Sequence, residues 1–328
     1  MDKVKWGIIG CGNVCEHKSG PPMYKLEHSD LVAVMRNNPD KLADFARRHQ
    51  VARTYTDASQ LINDPEVNIV YIATPPGSHK KYAIEALSAG KPVYVEKPMA
   101  MNYSECMEMV EAAEKNNQKL FVAYYRRALP YFLKIKQLLD DNIIGKVIAV
   151  DIKYIRPEGD ADRKPEHQSW HLNRTIGGEG YFYDLAPHTL DILDFLVGEI
   201  TDAKGYGTNR AGFYEVADTV TAIMQFKSGI LGSGIWSFAA SGQPQQDDVV
   251  ITGNRGSIKF NIFKFDPIEL YAEDKVQHFT IKPPEHIQQC LIGSIIAELR
   301  EEGMCPSNGI SAARTAKVMD MILPVPRI

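Results

Sequence analysis

Short apolar runs alternate with amphipathic stretches through the first third of the chain. Runs rich in β-branched and aromatic residues predict strands, and they occupy residues 4–9, 31–35, 69–73, 92–95 and 119–122. Stretches with the period of a helix lie between them, at residues 40–49, 78–89 and 103–116. Strands that alternate with helices of this length predict βαβ units and a doubly wound parallel sheet.

The pattern changes near residue 123. A helix predicted over residues 130–141 is followed by apolar–polar alternation, which predicts strands at residues 146–155, 217–226, 230–238, 248–252, 257–262 and 268–271. Short joins that contain glycine suit hairpin turns between some of these strands. Further helices are predicted at residues 188–197, 285–301 and 311–322. We therefore predict an α/β protein with a parallel-sheet domain at residues 1–123 and a domain built on an antiparallel sheet at residues 124–328.

Composition narrows the class of protein but not its activity. The 328 residues are 44% apolar and 24% charged, which is ordinary for a globular protein with a large core. A formal charge of -4 gives no electrostatic basis for binding nucleic acid or an anionic membrane, and no run approaches the ~18 apolar residues of a membrane span. The five cysteines are scattered without CxxC pairs, so we expect a reduced, cytoplasmic protein without a zinc site.

A glycine turn follows the first predicted strand. Gly10 and Gly12 give a tight turn through which the backbone can approach a pyrophosphate, and Asn13 and Val14 open the next helix. Cys15 stands where the fingerprint usually has Gly or Ala, and it still permits close packing of the helix on the strand. A plain turn is the alternative, but the position at the head of a βαβ series favours dinucleotide binding.

The end of the second predicted strand bears on the choice of dinucleotide. NAD sites usually carry an acid there for the ribose 2′-hydroxyl, whereas this strand ends in Arg36 and Asn37. A guanidinium suits a 2′-phosphate through charge-assisted hydrogen bonds. The alternative is a surface arginine at a strand end. We favour NADP as the cofactor, with NAD as the alternative.

A proline-rich turn follows the third predicted strand. Thr74 and Pro75 begin it, and we expect Ser78 to cap the helix that starts near His79. In the functional interpretation this turn lies along the cofactor, and in the alternative it is an ordinary loop between strand and helix.

Glu96, Lys97 and Pro98 end the fourth predicted strand. This places a lysine at the carboxyl edge of the parallel sheet, where open α/β sheets bind ligands. A lysine there can relay a proton or hold a substrate hydroxyl, although a lysine at a strand end is more often solvated. Its role therefore depends on what else converges on the same edge.

A second constellation follows Gly177 and Gly178. Pro187 is best tolerated in a first helical turn, so a helix is predicted to begin near Asp184. Asp184 and His188 are then four residues apart on one helix face, where the carboxylate could orient a ring that passes protons near neutral pH. The alternatives are a helix cap for Asp184 and a half-buried core histidine for His188. No metal site is predicted, because this pair has no third ligand cluster.

Aromatic and guanidinium side chains flank these motifs. Their flat faces and hydrogen-bond donors suit a polar ring such as a sugar, although they could equally pack at a domain interface. The candidates for contact with substrate are Tyr124, Arg126, Trp170 and Arg174.

Taken in order, these motifs resemble those of the glucose–fructose oxidoreductase / inositol dehydrogenase / rhizopine-catabolism (Gfo/Idh/MocA) family. The resemblance covers nearly the whole chain, and the Glu-Lys-Pro element combined with Asp-x-x-x-His is more specific than the glycine turn. It implies a Rossmann domain and a C-terminal α/β domain whose large, open, mostly antiparallel sheet forms a homodimer or homotetramer. It also implies NAD(P)-dependent oxidation or reduction of a sugar, polyol or related hydroxy compound. The match is carried by residues 10–12, 73–76, 79, 89–92, 96–98, 177–178, 184 and 188.

The resemblance also implies roles for individual residues. Lys97 corresponds to the catalytic lysine of the family, Asp184 to its substrate-binding acid and His188 to its acid/base histidine. Arg36 departs from the acid of many NAD-using members, and Ala186-Pro187 replaces the glycine often found before the histidine. We expect the cofactor to contact Gly10, Gly12, Asn13, Val14, Arg36, Asn37, Thr74, Pro75, His79, Glu96 and Lys97.

Two other functions remain open at this point. NAD-dependent glycosidases and lyases of the same superfamily use bound nicotinamide transiently, which predicts no net change in nicotinamide absorbance and favours tightly held NAD. Arg36 argues against this alternative, because it disfavours tightly held NAD. A non-catalytic nicotinamide sensor is the second alternative, but it has no need for proton-transfer groups such as Lys97 and His188.

Overall fold

The computed structural model describes residues 1–164, 166, 168–242 and 244–324. The chain divides into two compact units, one made of residues 1–129 with 284–313, and the other of residues 130–283 with those from 314 onward. This division differs from the domain boundary predicted near residue 123, chiefly because residues 284–313 belong with the N-terminal part of the chain.

The first unit contains a six-stranded parallel sheet, as the alternating pattern predicts. Its strands are β1 (Val4–Ile9), β2 (Ser29–Met35), β3 (Arg53–Tyr55), β4 (Ile69–Ile72), β5 (Val93–Val95) and β6 (Leu120–Val122). They lie in the order β3-β2-β1-β4-β5-β6. The order reverses direction between β1 and β4, and ligands bind at such a switch point beyond the carboxyl ends of the strands.

Three strands of this sheet are buried along their whole length. Every residue of β4, β5 and β6 is buried, which explains their continuous apolar runs. The helices of this unit that precede residue 129 are α1 (Asn13–His17), α2 (Gly20–Lys25), α3 (Pro39–His49), α4 (Ala58–Ile62), α5 (His79–Ser88) and α6 (Tyr103–Lys115). The prediction missed β3, a three-residue edge strand with two exposed side chains.

The second unit contains an eight-stranded, mostly antiparallel sheet. Its strands are β7 (Val147–Ile155), β8 (Ile200–Thr208), β9 (Thr219–Phe226), β10 (Leu231–Ser237), β11 (Gln246–Gly253), β12 (Gly256–Phe260), β13 (Ile268–Ala272) and β14 (Lys275–Phe279). They follow the order β14-β13-β12-β11-β7-β10-β9-β8, and only the β7–β10 pair is parallel. Buried and exposed side chains alternate along β9 and β11, so one face of the sheet is covered and the other is open. The predicted fold class is confirmed.

Two strands of this sheet were absent from the prediction. β8 is rich in polar and glycine residues, and four of the five residues of β14 are exposed, so neither presents an apolar alternation. The remaining α-helices among the described residues are α7 (Pro130–Asp140), α8 (Arg174–Gly177), α9 (Gly180–Leu196), α10 (Gln289–Leu299) and α11 (Gly309–Ile322). The helix predicted over residues 285–301 is therefore shorter, and the one predicted over residues 188–197 is much longer.

Candidate active site

The glycine turn after β1 is shaped by its neighbours across the switch point. Gly10 has φ +86°, and its backbone N–H donates to the Met35 carbonyl at the end of β2. A Cβ at Gly10 would lie 2.7 Å from the Thr74 methyl group, so only glycine fits. At Gly12, by contrast, a Cβ would meet only the Gly10 carbonyl oxygen, at 3.7 Å. The side of the turn at Gly12 is therefore open, as the approach of a dinucleotide phosphate to the backbone requires.

Arg36 leans over this turn from the end of β2. Its Nη1 donates to the Cys11 carbonyl oxygen at 3.0 Å, and its own N–H donates to the Tyr55 carbonyl. The side chain is half-buried, whereas Asn37 beside it is exposed. A positive charge thus lies at the point of the fold where an acid would bind a ribose 2′-hydroxyl.

The turn after β4 is held by His79 rather than by a capping bond from Ser78. The buried imidazole places Nε2 2.7 Å from the Thr74 carbonyl and Nδ1 3.0 Å from the Pro98 carbonyl. Burial lowers the pKa of His79, opposed by its contacts with these carbonyls. Ser78 is the N-cap residue of α5, as predicted, but its side chain makes no capping bond, and its hydroxyl donates to the Thr74 hydroxyl at 2.7 Å. The ring therefore joins the turns after β4 and β5.

Glu96 lies in a buried network at the end of β5. Its Oε1 accepts from the Tyr71 hydroxyl and from the Gln288 amide, each at 2.7 Å, and its Oε2 accepts from the Lys97 backbone N–H at 3.2 Å. The Tyr94 hydroxyl donates to the other end of the Gln288 amide at 2.6 Å. The sequence analysis missed Gln288, which lies 192 residues from Glu96 along the chain.

Helix α9 carries the second set of predicted catalytic residues. It begins at Gly180, one turn before the start predicted near Asp184, so Pro187 lies inside the helix. Gly180 has φ +66°, and a Cβ there would lie 2.4 Å from a methyl group of Val216. Asp184 and His188 still share a helix face, since they are four residues apart. His188 is buried, and its ring meets Phe263 edge to face at a centroid distance of 5.8 Å.

The structure adds His171 to this group. Its Nε2 lies 3.8 Å from Asp184 Oδ1, and its Nδ1 lies 2.7 Å from the Ser169 hydroxyl. Gly177 allows this approach, because a Cβ there would lie 2.6 Å from the His171 carbonyl oxygen. In the sequence, the glycine pair before α9 indicated a close backbone contact at this point. It did not indicate that the contacting residue is His171.

The four predicted substrate residues differ in their surroundings. Tyr124 and Arg126 are buried, and the Arg126 guanidinium stacks over the Tyr125 ring at 4.9 Å. Trp170 is 41% exposed and stacks on His171 at a centroid distance of 3.7 Å. Arg174 is paired with the Glu179 carboxylate, Nε to Oε1 at 2.8 Å. Trp170 thus lies next to His171, which in turn lies near Asp184.

Within residues 1–324, apart from positions 165, 167 and 243, no group of three or more metal-ligating side chains could hold an ion. Among the helices of the same part of the chain, none has the length and apolar character needed to cross a membrane.

Comparison with known proteins identifies the family. Residues 4–124 match the model of the oxidoreductase family with an NAD-binding Rossmann fold, and residues 132–259 match the GFO/IDH/MocA C-terminal domain. The chain belongs to the Gfo/Idh/MocA family of oxidoreductases. The resemblance stated from the sequence is thus confirmed, as is the prediction of a dehydrogenase or reductase.

Relatives of this family member extend over most of its length. It is 41% identical to Oxidoreductase P35 of Formosa agariphila over 97% of this chain and 98% of that protein. It is 29% identical to levoglucosan dehydrogenase of Pseudarthrobacter phenanthrenivorans over 84% of this chain and 78% of that protein. A trans-1,2-dihydrobenzene-1,2-diol dehydrogenase of Bos taurus is 26% identical over 85% of this chain and 81% of that protein.

Solved structures share the same fold. A levoglucosan dehydrogenase in complex with NADH superposes with a TM-score of 0.85 at 25% identity, over 99% of this chain and 100% of that chain. The aldose-aldose oxidoreductase of Caulobacter crescentus, complexed with glycerol, has a TM-score of 0.86 at 22% identity over 97% and 96% of the two chains. The latter similarity concerns the fold alone.

Proposed function

We propose that this oxidoreductase interconverts a secondary hydroxyl and a carbonyl on a sugar, a polyol or a related cyclic diol. The observation that carries the proposal is the placement of Lys97 at the carboxyl edge of the parallel sheet, beside a buried carboxylate that holds its backbone N–H. The open face at Gly12 fits a dinucleotide on the same edge. NAD(P), when bound there, supplies the hydride acceptor or donor.

The residues of the chain then have distinct tasks. In the oxidative direction His188 takes the hydroxyl proton as the hydride leaves carbon, while Lys97 holds the reacting oxygen by a hydrogen bond. Asp184 orients the substrate, and His171 and Trp170 complete its surroundings from the turn before α9. General acid–base help of this kind contributes roughly 10²–10⁴-fold to the rate.

A panel of substrates tests this function. Levoglucosan, trans-1,2-dihydrobenzene-1,2-diol, D-glucose and myo-inositol are each incubated with NAD or NADP, and nicotinamide absorbance is followed together with product formation. We expect reduced cofactor to accumulate in step with product for at least one compound. Product without a change in absorbance would instead show transient redox in a glycosidase or lyase, and cofactor binding without any product would show a sensor.

The preference for NADP rests on Arg36. Its guanidinium already lies on the Cys11 carbonyl beside the turn, where a 2′-phosphate would add a charge-assisted bond. Calorimetric titration with both cofactors should show tighter binding of NADP, and Arg36→Ala should remove the difference. Lys41→Ala also removes a cation, one that is exposed, but it should leave the difference in affinity between the two cofactors unchanged. Tighter binding of NAD by the unmodified protein would exclude this preference.

We also propose that the chain associates into a homodimer or homotetramer through the open face of the eight-stranded sheet. Tyr206, Ile223 and Leu231 share that face by register and are 69%, 66% and 62% exposed in the single chain. Large apolar side chains grouped on an open face favour association. Light scattering should show an oligomer that the double change Ile223→Lys and Leu231→Lys reduces to a monomer. A monomeric wild-type protein at micromolar concentration would contradict this.

A further inference from the structure

Four side chains behind Lys97 form one chain of hydrogen bonds in the buried part of the first unit. The Tyr94 hydroxyl donates to Gln288 Oε1, Gln288 Nε2 donates to Glu96 Oε1, and the Tyr71 hydroxyl donates to the same oxygen. Tyr71 and Tyr94 are fully buried, Gln288 is 1% exposed and Glu96 is 8% exposed. The rings of Tyr71 and Tyr94 also stack on one another, with centroids 4.8 Å apart, and this stacking fixes the positions of their hydroxyl groups.

Gln288 occupies the central position in this chain. An amide is both acceptor and donor, so it can take the Tyr94 hydroxyl at one end and give a hydrogen bond to Glu96 at the other. Its backbone is anchored as well, because the Gln288 N–H donates to the Lys18 carbonyl and His286 Nδ1 meets the His17 carbonyl at 2.7 Å. The amide is therefore held from both sides before it reaches the carboxylate.

The Glu96 carboxylate connects this hydrogen-bond network to Lys97. Two donors fix Oε1, and Oε2 is left directed at the Lys97 backbone N–H at 3.2 Å. Rotation of the carboxylate would break all three contacts together. A buried carboxylate that loses a donor also bears a desolvation cost, so it would move to recover a partner.

We propose that Gln288 is a positioning residue for Lys97, supplied by the segment of chain that returns to the first unit at residue 284. The inference rests on the proposed function, because it requires Lys97 to act on the reacting oxygen. Gln288 acts through Glu96 and touches neither substrate nor the reacting atoms. Its loss should lower kcat rather than weaken cofactor binding, since a shift of about 1 Å at a reacting group can cost about 10²-fold.

A double-mutant cycle with Lys97 tests the inference. The variants are Gln288→Leu, Lys97→Met and the two combined, assayed with the member of the substrate panel that the wild-type protein turns over best. We expect Gln288→Leu to lower kcat about 10- to 100-fold in the wild-type background and less than about threefold in the Lys97→Met background. Equal losses in both backgrounds would overturn the inference.

The same cycle separates the two proposals. If Lys97→Met itself keeps wild-type turnover, the role that the proposed function gives to Lys97 fails, and the inference about Gln288 fails with it. If Lys97→Met is impaired but Gln288→Leu is not, only the role of Gln288 fails. NADPH and NADH fluorescence titrations provide a measurement without turnover, and their Kd should stay within about threefold of wild type in Gln288→Leu. A larger loss of affinity, with kcat unchanged, would assign Gln288 to cofactor binding instead.

Gln288→Glu gives an independent test that does not rely on the stability of the leucine variant. At neutral pH a second carboxylate would face Glu96 and repel it, whereas protonation restores a donor at the same place. We expect kcat of Gln288→Glu relative to wild type to rise at least threefold between pH 8 and pH 6. A constant ratio over that range would contradict the positioning role.

Tyr55→Phe is the matched control. The Tyr55 hydroxyl donates to the Asp64 carboxylate at 2.9 Å in the same parallel-sheet unit, as the Tyr71 hydroxyl does to Glu96. Tyr71→Phe should lower kcat with partial dependence on Lys97, while Tyr55→Phe should change the melting temperature alone. If both tyrosine variants lower kcat equally, the network has only a structural role.

Discussion

The edge of the parallel sheet and the first turns of helix α9 prepare their catalytic candidates in different ways. At the sheet edge, Lys97 follows a buried strand and stands on a network of fully paired side chains. Just before and at the start of α9, Gly177 and Gly180 allow close approach of the His171 backbone and of a Val216 methyl group. Glu96 beside Lys97 is thus held by a buried hydrogen-bond network, whereas tight packing at two glycines shapes the turn that leads into α9. Substitutions should therefore affect the two regions through different measurements.

The largest effect should come from removing one proposed proton-transfer group from each region. Lys97→Met and His188→Asn should each lower kcat by roughly 10²–10⁴-fold, with cofactor affinity largely retained. Steady-state kinetics with the best substrate of the panel measures this. Turnover within a few-fold of wild type after both changes would overturn the roles proposed for Lys97 and His188.

Two neighbouring glycines sharpen the description of the sheet edge. Gly10→Ala should destabilise the protein by about 1–3 kcal/mol, because its φ of +86° and the Thr74 methyl group at 2.7 Å both oppose a side chain. Gly12→Ala should leave the free energy of unfolding nearly unchanged and weaken cofactor binding about tenfold, since its Cβ projects into open space. Denaturant unfolding and cofactor titration separate the two outcomes. Equal stability losses would show that the turn is not open at Gly12.

The corresponding change before α9 is Gly177→Ala. A Cβ there would lie 2.6 Å from the His171 carbonyl, so the turn that carries His171 toward Asp184 must shift. We expect kcat/KM for the substrate to fall about tenfold while the Kd of the cofactor is unchanged. Gly159→Ala is the control, because its nearest contact is 3.6 Å away. A loss of cofactor affinity in Gly177→Ala would mean that the two regions are not separable in this way.

The smallest effect concerns the support of the glycine turn by α1. Hydrogen bonds from Arg48 and His49 lower the pKa of Glu16 to about 2, below its ordinary value of 4.5. The ionised carboxylate therefore stabilises the fold above about pH 4.5, and this contribution is lost as the pH falls toward 2. Because Arg48 is partly exposed and screened, the contribution is about 1 kcal/mol at most. In denaturant unfolding, the free energy of unfolding of Glu16→Gln should be lower than that of wild type by this amount at pH 7, and the two should be equal near pH 2. Equal stability at pH 7 would contradict this support.

Features that depend on residues close together along the chain could be predicted from the sequence. Five of the six strands of the parallel sheet, the glycine turn and the position of Lys97 follow from local apolar runs and turn residues, and the structure has these strands within a few residues of the predicted bounds. The start of α9 was misplaced because Pro187 was assigned to a first turn, whereas Gly180 with its positive φ begins the helix. Proline was thus a weaker boundary signal than the glycine before it.

What the sequence could not predict depends on residues that are distant along the chain. Gln288 reaches Glu96 across 192 positions, and no local pattern distinguishes it from any other glutamine. His171 was visible as part of an aromatic segment, but its approach to Asp184 depends on a turn whose path only the folded structure defines. The shared helix face of Asp184 and His188 was predictable, because helical spacing is a local property.

The return of residues 284–313 to the first unit has a consequence for how the protein is made. Strand β6 is an edge of the parallel sheet, and the Ser307 hydroxyl donates to the Val122 carbonyl there at 2.7 Å, beside an antiparallel bridge between Phe121 and Asn308. During translation this edge stays uncovered until the ribosome has synthesised Ser307 and Asn308. A nascent chain stalled after residue 129 would expose both an unpaired strand and an unfinished carboxylate network. The parallel-sheet unit is therefore completed only after residues 130–283 have been made, and it is exposed to aggregation in the interval.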